Sequence, residues 1–199
     1  LYREHVLRVA QGKSAEPEEG EEAAQEEDEA DIAQNWIPVL IFLPLRLGLD
    51  DRINPQYAPA LKALLEMQQC VGIIGGKPRS AHYFIGITSA NRLLYLDPHT
   101  VQPALRSSGY QAGTPSPDVS TAHLSGPSLP SMPLLDLDPS LAVGFLCTSL
   151  ASFDKLCDKC ALLGTKCLSP FSITEYPPRI PYELTERDGD DDDEELCVL

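Results

Sequence analysis

Basic residues are scarce in this sequence of 199 residues, where 15 lysines and arginines stand against 30 aspartates and glutamates. The formal net charge at pH 7 is therefore -15. A protein that binds nucleic acid needs clustered Lys and Arg side chains to contact the phosphates, so this balance argues against that class. The hydrophobic content of 43% and the charged content of 23% are typical of a globular protein rather than a fully disordered one.

Long apolar runs are also missing. The longest, Trp36–Leu45, contains two prolines and ends before Arg46, so it is too short to span a bilayer. No basic segment followed by an apolar one marks a secretory signal peptide. Since the chain begins with Leu1 rather than a methionine, we expect it to be processed or to belong to a longer polypeptide.

The acidity is concentrated in two segments. Residues 16–31 include 10 acidic side chains and no base, and residues 186–195 include 8 acidic side chains and one base. Dense like charge with few aromatics cannot bury enough apolar area to offset the loss of chain entropy. We therefore predict a disordered insertion over residues 16–35 and a disordered tail over residues 181–199. A stretch rich in Ser, Pro, Gly and Thr, residues 107–133, predicts a long surface loop.

Strands and helices are predicted between these segments from the apolar pattern. Proline chemistry and helical spacing indicate a helix from Pro55 to Met67, and another is expected over Ser149–Leu163, ended by Gly164. Turn residues around Ala90 predict a hairpin. The predicted strands are Val39–Leu45, Val71–Ile74, His82–Ile87, Leu93–Leu96, Leu141–Cys147 and Phe171–Tyr176. Together they indicate an α+β fold with a mixed sheet and helices packed on it.

Six cysteines are present, and we interpret them as buried, unreactive thiols. Cys157 and Cys160 share one face of a predicted helix, but a zinc site needs two further ligands and Cys167 alone does not supply a second pair. Without a secretory signal, disulfides are not expected. The sequence predicts neither a metal site nor a cofactor.

The most informative tripeptide chemically is Asp97-Pro98-His99, directly after a predicted strand. In an extended chain residues i and i+2 point to the same side, so Asp97 and His99 can be neighbours, and Pro98 stiffens the pair. A carboxylate beside an imidazole selects its tautomer and stabilises its protonated form, as a general base requires. From the tripeptide alone, a surface turn with a solvated histidine remains the stronger alternative.

Gly75-Gly76-Lys77-Pro78 is ambiguous in the same way. The double glycine permits positive φ and a close backbone approach, and the proline stiffens the exit. The segment lacks the spacing of a phosphate-binding loop. A tight connection between strands and a mobile flap over a cleft both fit it.

Two longer runs resemble the autophagins, the cytosolic cysteine peptidases that process the ubiquitin-like modifier of autophagy. They are Gly-Ile-Ile-Gly-Gly-Lys-Pro-Arg-Ser-Ala-His-Tyr-Phe-Ile-Gly at 72–86 and Tyr-Leu-Asp-Pro-His-Thr-Val-Gln-Pro at 95–103. The run Leu-Asp-Pro-Ser-Leu-Ala-Val-Gly-Phe at 137–145 and the acidic tail support the resemblance, which extends from about Trp36 to Leu199. The tail and the long loop resemble most the D-type vertebrate branch.

The resemblance implies a papain-like cysteine peptidase fold with a Cys-His-Asp triad. Asp97 would orient the imidazole, and His99 would deprotonate the nucleophilic thiol and later protonate the leaving amine. Lys77, Pro78, Arg79 and Ser80 match a regulatory loop over the active site, although Arg79 replaces an asparagine of some relatives.

The implied partners are the ubiquitin-like modifier and its conjugate with phosphatidylethanolamine, whose glycine amide the family cleaves. Membrane contact would be peripheral, through the lipidated substrate. The resemblance implies a cytoplasmic location, and a mitochondrial pool is compatible with it.

The sequence departs from the family at the nucleophile. The autophagin cysteine lies upstream in a Gly-Trp-Gly-Cys context, which is absent here, and no cysteine precedes Cys70. The papain-like fold is therefore expected to be incomplete: residues 1–15 would be a remnant of a preceding core element, and residues 36–180 the C-terminal part of the domain. We expect the chain alone to be inactive, with apolar surface exposed on Leu43, Leu64 or Leu94.

The tail is a second candidate site. Glu194-Glu195-Leu196-Cys197-Val198-Leu199 resembles the family's modifier-binding motif, in which an aromatic residue is followed by an aliphatic one. Leu196 replaces the aromatic and Leu199 is the second anchor, so the motif is weakened, and a solvated acidic terminus is equally compatible. The alternative function for the whole chain is a non-catalytic fragment that binds the modifier or acts as a scaffold.

Overall fold

A six-stranded antiparallel sheet with helices on one face forms the described part of the protein, a computed structural model that covers residues 1–15, 29–77, 80–99 and 130–177. The strands lie in the order β1-β6-β2-β3-β4-β5. The helices are α1 (Arg3–Ala10), α2 (Glu29–Gln34), α3 (Ala58–Leu65) and α4 (Leu150–Lys166). The strands are β1 (Val39–Arg46), β2 (Cys70–Lys77), β3 (Ser80–Ile87), β4 (Arg92–Leu96), β5 (Ser131–Pro133) and β6 (Ser140–Cys147).

Alternation along the strands separates a core face from an outer face. Ile41 pairs with Phe145, and Val143 pairs with Ile73, which in turn pairs with Phe84. All five side chains are buried, and α1, α3 and α4 cover them with their apolar stripes. The α+β fold predicted from the sequence is therefore confirmed.

The outer face of the sheet is apolar but exposed. Leu40 pairs with Leu146, and Ile74 pairs with Tyr83, so these four side chains share the face opposite the core. They are all exposed, and Phe42 is 48% exposed beside them. The sequence predicts the exposed apolar surface on Leu43, Leu64 or Leu94, and this is wrong for Leu64, which is fully buried in the core, while Leu43 and Leu94 are half-buried.

Local chemistry sets the main helix and hairpin boundaries. Ser149 accepts a hydrogen bond from the backbone N–H of Ser152 and begins α4, and Asn54 does the same for the 3-10 turn that leads into α3. Asn91, in the turn between β3 and β4, has φ +55, a conformation that Asn tolerates better than most residues. The predicted hairpin is therefore confirmed.

Several boundaries differ from the sequence prediction. The sheet is antiparallel throughout its described pairings rather than mixed, and β2 continues through both glycines to Lys77. Residues 131–133, expected in a loop, pair with β4 as an edge strand. Helix α4 continues past Gly164 to Lys166. The strand predicted over Phe171–Tyr176 is wrong, because only Thr174 forms a single bridge, with Tyr2.

The acidic insertion predicted over residues 16–35 ends in a helix. Glu29–Gln34 are helical, because Ile32 is buried and α2 contacts α4. Disorder is therefore wrong for these six residues, while residues 16–28, 100–129 and 178–199 lie outside the described part of the chain. Within the described residues, no helix is long and apolar enough to cross a membrane.

Candidate active site

The candidate site lies where β4 ends beside the start of β3. Leu96, the last residue of β4, pairs with Tyr83, so the chain that continues into Asp97 passes next to His82. His82 follows the alternation of β3 and lies on the same side as buried Phe84. The antiparallel register therefore brings together two residues that are 15 positions apart in the sequence.

Asp97 and His99 form the close pair that the sequence predicts. The Oδ1 atom of Asp97 accepts a hydrogen bond from the backbone N–H of His99 at 2.9 Å, and lies 2.9 Å from its ring Nδ1. The backbone bond closes a turn across Pro98 and fixes the distance between the two side chains. With its proton on Nδ1, the imidazole donates to Asp97 and leaves Nε2 as the basic nitrogen.

Exposure differs between the two members of this pair. The His99 side chain is 58% exposed and that of Asp97 is 34% exposed. The ring is thus held by a partly buried carboxylate while its other edge remains accessible.

A second histidine, His82, belongs to the same cluster, and sequence reasoning missed it. Its ring stacks on Tyr95 with centroids 4.2 Å apart and an interplanar angle of 18°. Its Nε2 lies 3.3 Å from Ser80 Oγ, and its Nδ1 lies 4.0 Å from Asp97 Oδ1. The available signal was the alternation of β3, which assigns a polar histidine to a core-facing position.

A shallow groove of about 580 Å³ lies beside His99. Lys77 at the end of β2 and Ser80 at the start of β3 line it, together with Asp138 and Ser140. Its apolar lining includes Ile74, which connects the groove to the exposed outer face of the sheet. The groove therefore offers an extended ligand both polar and apolar contacts next to the imidazole.

The structure describes two of the four residues predicted to form a regulatory loop. Lys77 and Ser80 pair with each other at the end of the β2–β3 hairpin, next to the groove. Pro78 and Arg79, between them, lie outside the described residues. Leu196 and Leu199, the predicted anchors of the tail, also lie outside them.

None of the five described thiols is paired in a disulfide. Burial raises the pKa of Cys147 and Cys157 to about 11 and the pKa of Cys160 to about 12, and it also raises that of Cys70. These thiols stay protonated near pH 7 and are poor nucleophiles. Cys70 is five residues along β2 from Gly75, the partner of His82, a separation of about 16 Å in a strand.

Comparison with known proteins gives consistent matches. Residues 1–159 match the family model described as the peptidase C54 catalytic domain. The chain is 40% identical over 158 residues to a protein of Xenopus laevis named cysteine protease ATG4A, in an alignment that covers 77% of this chain and 38% of the relative.

Two further relatives match in the same way. Cysteine protease ATG4B of Gallus gallus is 43% identical over 145 residues, covering 72% of this chain and 35% of the relative. Cysteine protease atg4 of Dictyostelium discoideum is 34% identical over 170 residues, covering 84% of this chain and 22% of the relative. The chain thus spans less than two fifths of the length of these relatives.

Proposed function

The chain belongs to the peptidase C54 family, and on that premise we propose that it is the part of an autophagy cysteine peptidase that supplies the general base and its orienting carboxylate. The observation that carries the proposal is the contact of one carboxylate oxygen, Asp97 Oδ1, with both the backbone N–H and the ring Nδ1 of His99, each at 2.9 Å. The papain-like α+β fold of the family agrees with the observed sheet and helices.

The two residues have separate roles in the proposed reaction. Asp97 selects the tautomer of His99 and stabilises the imidazolium cation. His99 takes the proton of a cysteine thiol through Nε2, so that the thiolate attacks the carbonyl carbon of the scissile amide. The same proton then passes to the leaving amine, and water releases the acyl group from the enzyme.

We propose that the nucleophilic cysteine comes from a further segment of the domain. The raised pKa of the thiols of Cys70, Cys147, Cys157 and Cys160 makes them poor candidates. The exposed apolar outer face, with Leu40 and Phe42, supports this proposal, because a domain normally covers such a surface. On this proposal the 199-residue chain alone is inactive, residues 1–15 are a remnant of a preceding core element, residues 36–180 are the C-terminal part of the domain, and residues 181–199 are its acidic tail.

The proposed substrates follow from the family. They are the peptide bond after a glycine near the C-terminus of the ubiquitin-like modifier, and the amide that joins this glycine to phosphatidylethanolamine. The groove beside His99 supports an extended glycine-containing segment, since Gly75 and Gly76 line it and present backbone. The protein would meet the membrane only through the lipidated substrate, in the cytoplasm or in a pool at mitochondria.

Two finer assignments are also part of this proposal. Lys77, Pro78, Arg79 and Ser80 would regulate access to the groove, which Lys77 and Ser80 line. Leu196 and Leu199 would anchor the tail on the modifier, and the acidic tail favours the D-type vertebrate branch of the family.

The decisive experiment adds the missing segment. The 199-residue chain is extended upstream with the corresponding segment of a relative that contains Gly-Trp-Gly-Cys, and cleavage of a modifier with a C-terminal reporter is measured. We expect turnover by the extended chain, its loss in His99→Ala, and near-normal turnover in the matched control His5→Ala.

Binding of the modifier separates catalysis from the alternative function. His99→Ala should still bind the modifier, because the substitution removes the base and little contact area. Unchanged turnover in His99→Ala would overturn the proposed base. Modifier binding without any turnover by the extended chain would favour a non-catalytic binding fragment instead.

A further inference from the structure

His82, Asp97 and His99 bring three potential ligand atoms, two imidazole nitrogens and one carboxylate oxygen, within 4.8 Å of one another. We propose that these three side chains bind a divalent transition-metal ion of the Zn²⁺ class. The sequence predicted no metal site, because it did not show that His82 lies opposite the Asp97-Pro98-His99 turn. The proposal concerns binding by this chain and does not depend on peptidase activity.

The separations between ligand atoms suit a small ion. Zinc binds imidazole nitrogen and carboxylate oxygen at about 2.0–2.2 Å in a tetrahedral arrangement, which sets its ligand atoms roughly 3.3 Å apart. Asp97 Oδ1 lies 2.9 Å from His99 Nδ1 and 4.0 Å from His82 Nδ1. These two distances fall on either side of the ideal value, and the remaining pair, between the two histidines, lies within 4.8 Å.

His82 is prepared for metal binding by its surroundings. Its side chain is 10% exposed, and its Nδ1 is buried with no hydrogen-bond partner among the described residues. A buried polar atom without a partner costs free energy, which a bound cation would offset. Ser80 Oγ lies 3.3 Å from the other ring nitrogen, and a proton on that nitrogen leaves the lone pair of Nδ1 directed to the site.

The rest of the coordination sphere remains accessible. His99 is half-exposed beside the groove, which gives an ion an entry path and room for water as a fourth ligand. Two imidazoles and one carboxylate suit zinc and related transition metals, whereas Mg²⁺ and Ca²⁺ prefer oxygen ligands.

Metal binding would alter the Asp97–His99 pair. An ion bound to Asp97 Oδ1 and His99 Nδ1 replaces the hydrogen bond between them, and the ring changes to the neutral tautomer that carries its one proton on Nε2. The metal-bound ring then no longer has its orienting carboxylate. Bound zinc would therefore oppose the proposed general-base role of His99, a consequence that, unlike the binding itself, rests on the proposed function.

The test uses the 199-residue chain under reducing conditions, titrated with ZnCl₂ by calorimetry and with Co²⁺ by visible absorption. We expect one metal site in the unaltered chain and at least a tenfold weaker affinity in His99→Ala. Loss of a residue that only hydrogen-bonds a metal ligand already lowers metal affinity by about tenfold or more, and loss of the ligand itself should lower it at least as much. The matched control His5→Ala and the thiol control Cys157→Ser/Cys160→Ser should retain the affinity of the unaltered chain. MgCl₂ should produce no binding heat.

Two readouts keep the test decisive even where a variant is destabilised. In the unaltered chain, zinc should shift the imidazole NMR signals of His82 and His99, while the signals of His5 stay unchanged. The Co²⁺ spectrum should lack the intense near-ultraviolet band of thiolate ligands. Equal affinities for the unaltered chain and His99→Ala, a thiolate band, or loss of binding in the cysteine variant would overturn the proposed site.

Discussion

Asp97 holds His99 through a single carboxylate oxygen, which accepts from the backbone N–H at 2.9 Å and lies 2.9 Å from the ring nitrogen. The backbone bond fixes the turn, and the contact with the ring fixes the orientation of the imidazole within it. Because both contacts use the same atom, removal of this side chain would affect the local chain and the proposed base together, and only a substitution that keeps an acceptor oxygen can distinguish the two effects.

Asp97→Asn should therefore separate charge from shape. The amide retains the size of the side chain and can still accept from the backbone N–H, but it loses the negative charge and no longer enforces the tautomer. We expect turnover by the upstream-extended chain to fall roughly ten-thousandfold, the scale known for the equivalent change in another peptidase triad.

The control is Asp136→Asn, which disrupts a largely solvent-accessible ion pair with Arg52 at 3.2 Å, in which the Arg52 side chain is 72% exposed. Exposed pairs contribute little, so turnover should stay within about twofold of the unaltered protein. If Asp97→Asn and Asp136→Asn gave the same turnover, the carboxylate would have no part in the reaction.

The buried thiols predict a dependence of stability on pH. Burial raises the pKa of Cys147 and Cys157 from the ordinary value of 9.0 to about 11, and that of Cys160 to about 12. The folded chain therefore binds these protons more tightly than the unfolded chain does. Their contribution to stability is complete below pH 9 and declines as the pH rises from there toward 11 and 12.

Urea denaturation under reducing conditions at pH 7 and pH 10 measures this effect. The urea midpoint of the unaltered chain should be lower at pH 10 than at pH 7. The difference between the two pH values should be smaller in Cys160→Ala than in the unaltered chain. Alkylation of the folded chain near pH 7 should be slow at these three thiols and fast after unfolding. A fall of equal size with and without Cys160 would contradict the assignment for that residue.

Self-association should depend on the outer face of the sheet. Leu40 and Leu162 are both 53% exposed, but Leu40 lies on the apolar face of the sheet and Leu162 lies on α4. Leu40→Glu should therefore lower the weight-average mass of the chain in sedimentation equilibrium, because it introduces a charge into the apolar patch. Leu162→Glu, matched in residue type and exposure, should leave it unchanged, and equal effects of the two changes would exclude a specific role of this face.

Two glycines in the central hairpins should respond differently to alanine. Gly76 has φ +154, and a Cβ there would overlap the backbone oxygen of Ser80, whereas a Cβ at Gly86 would meet only Leu94 at an ordinary 4.0 Å. Gly76→Ala should lower the free energy of unfolding by about 1–3 kcal/mol, the range for a strained backbone position. Gly86→Ala should lower the free energy of unfolding by less than half as much, and urea denaturation of the two variants measures both values. Similar losses in the two variants would show that the hairpin tolerates a side chain at Gly76.

The parts of the site that the sequence predicts are those formed by residues close together in the chain. Asp97 and His99 are two residues apart in a turn, so their proximity follows from the chain itself. His82 joins them only through the register between β3 and β4, which depends on a bulge after Phe84 that the sequence does not reveal. The cross-strand member of the cluster was missed for that reason.

The fold shows the same division between local and long-range information. Strand β5 is only three residues long and contains Pro133, so its pattern is that of a loop, although pairing with β4 makes it a strand. Conversely, Phe171–Tyr176 alternates like a strand but forms one bridge, with Tyr2. The acidic residues around α2 predict disorder. The contact that supports this helix is with α4, which is distant in the sequence, so the local pattern does not indicate it.

The place of β6 between β1 and β2 has a consequence for the order in which the chain can fold during synthesis. Strand β1 pairs only with β6 in the described sheet, and the two are separated by more than 90 residues. A nascent polypeptide that has emerged as far as β4 can form the β2–β3–β4 meander, while β1 has no partner to pair with. The sheet therefore closes only after β6 leaves the ribosome, and a product truncated before Ser140 would expose two unpaired edges to aggregation.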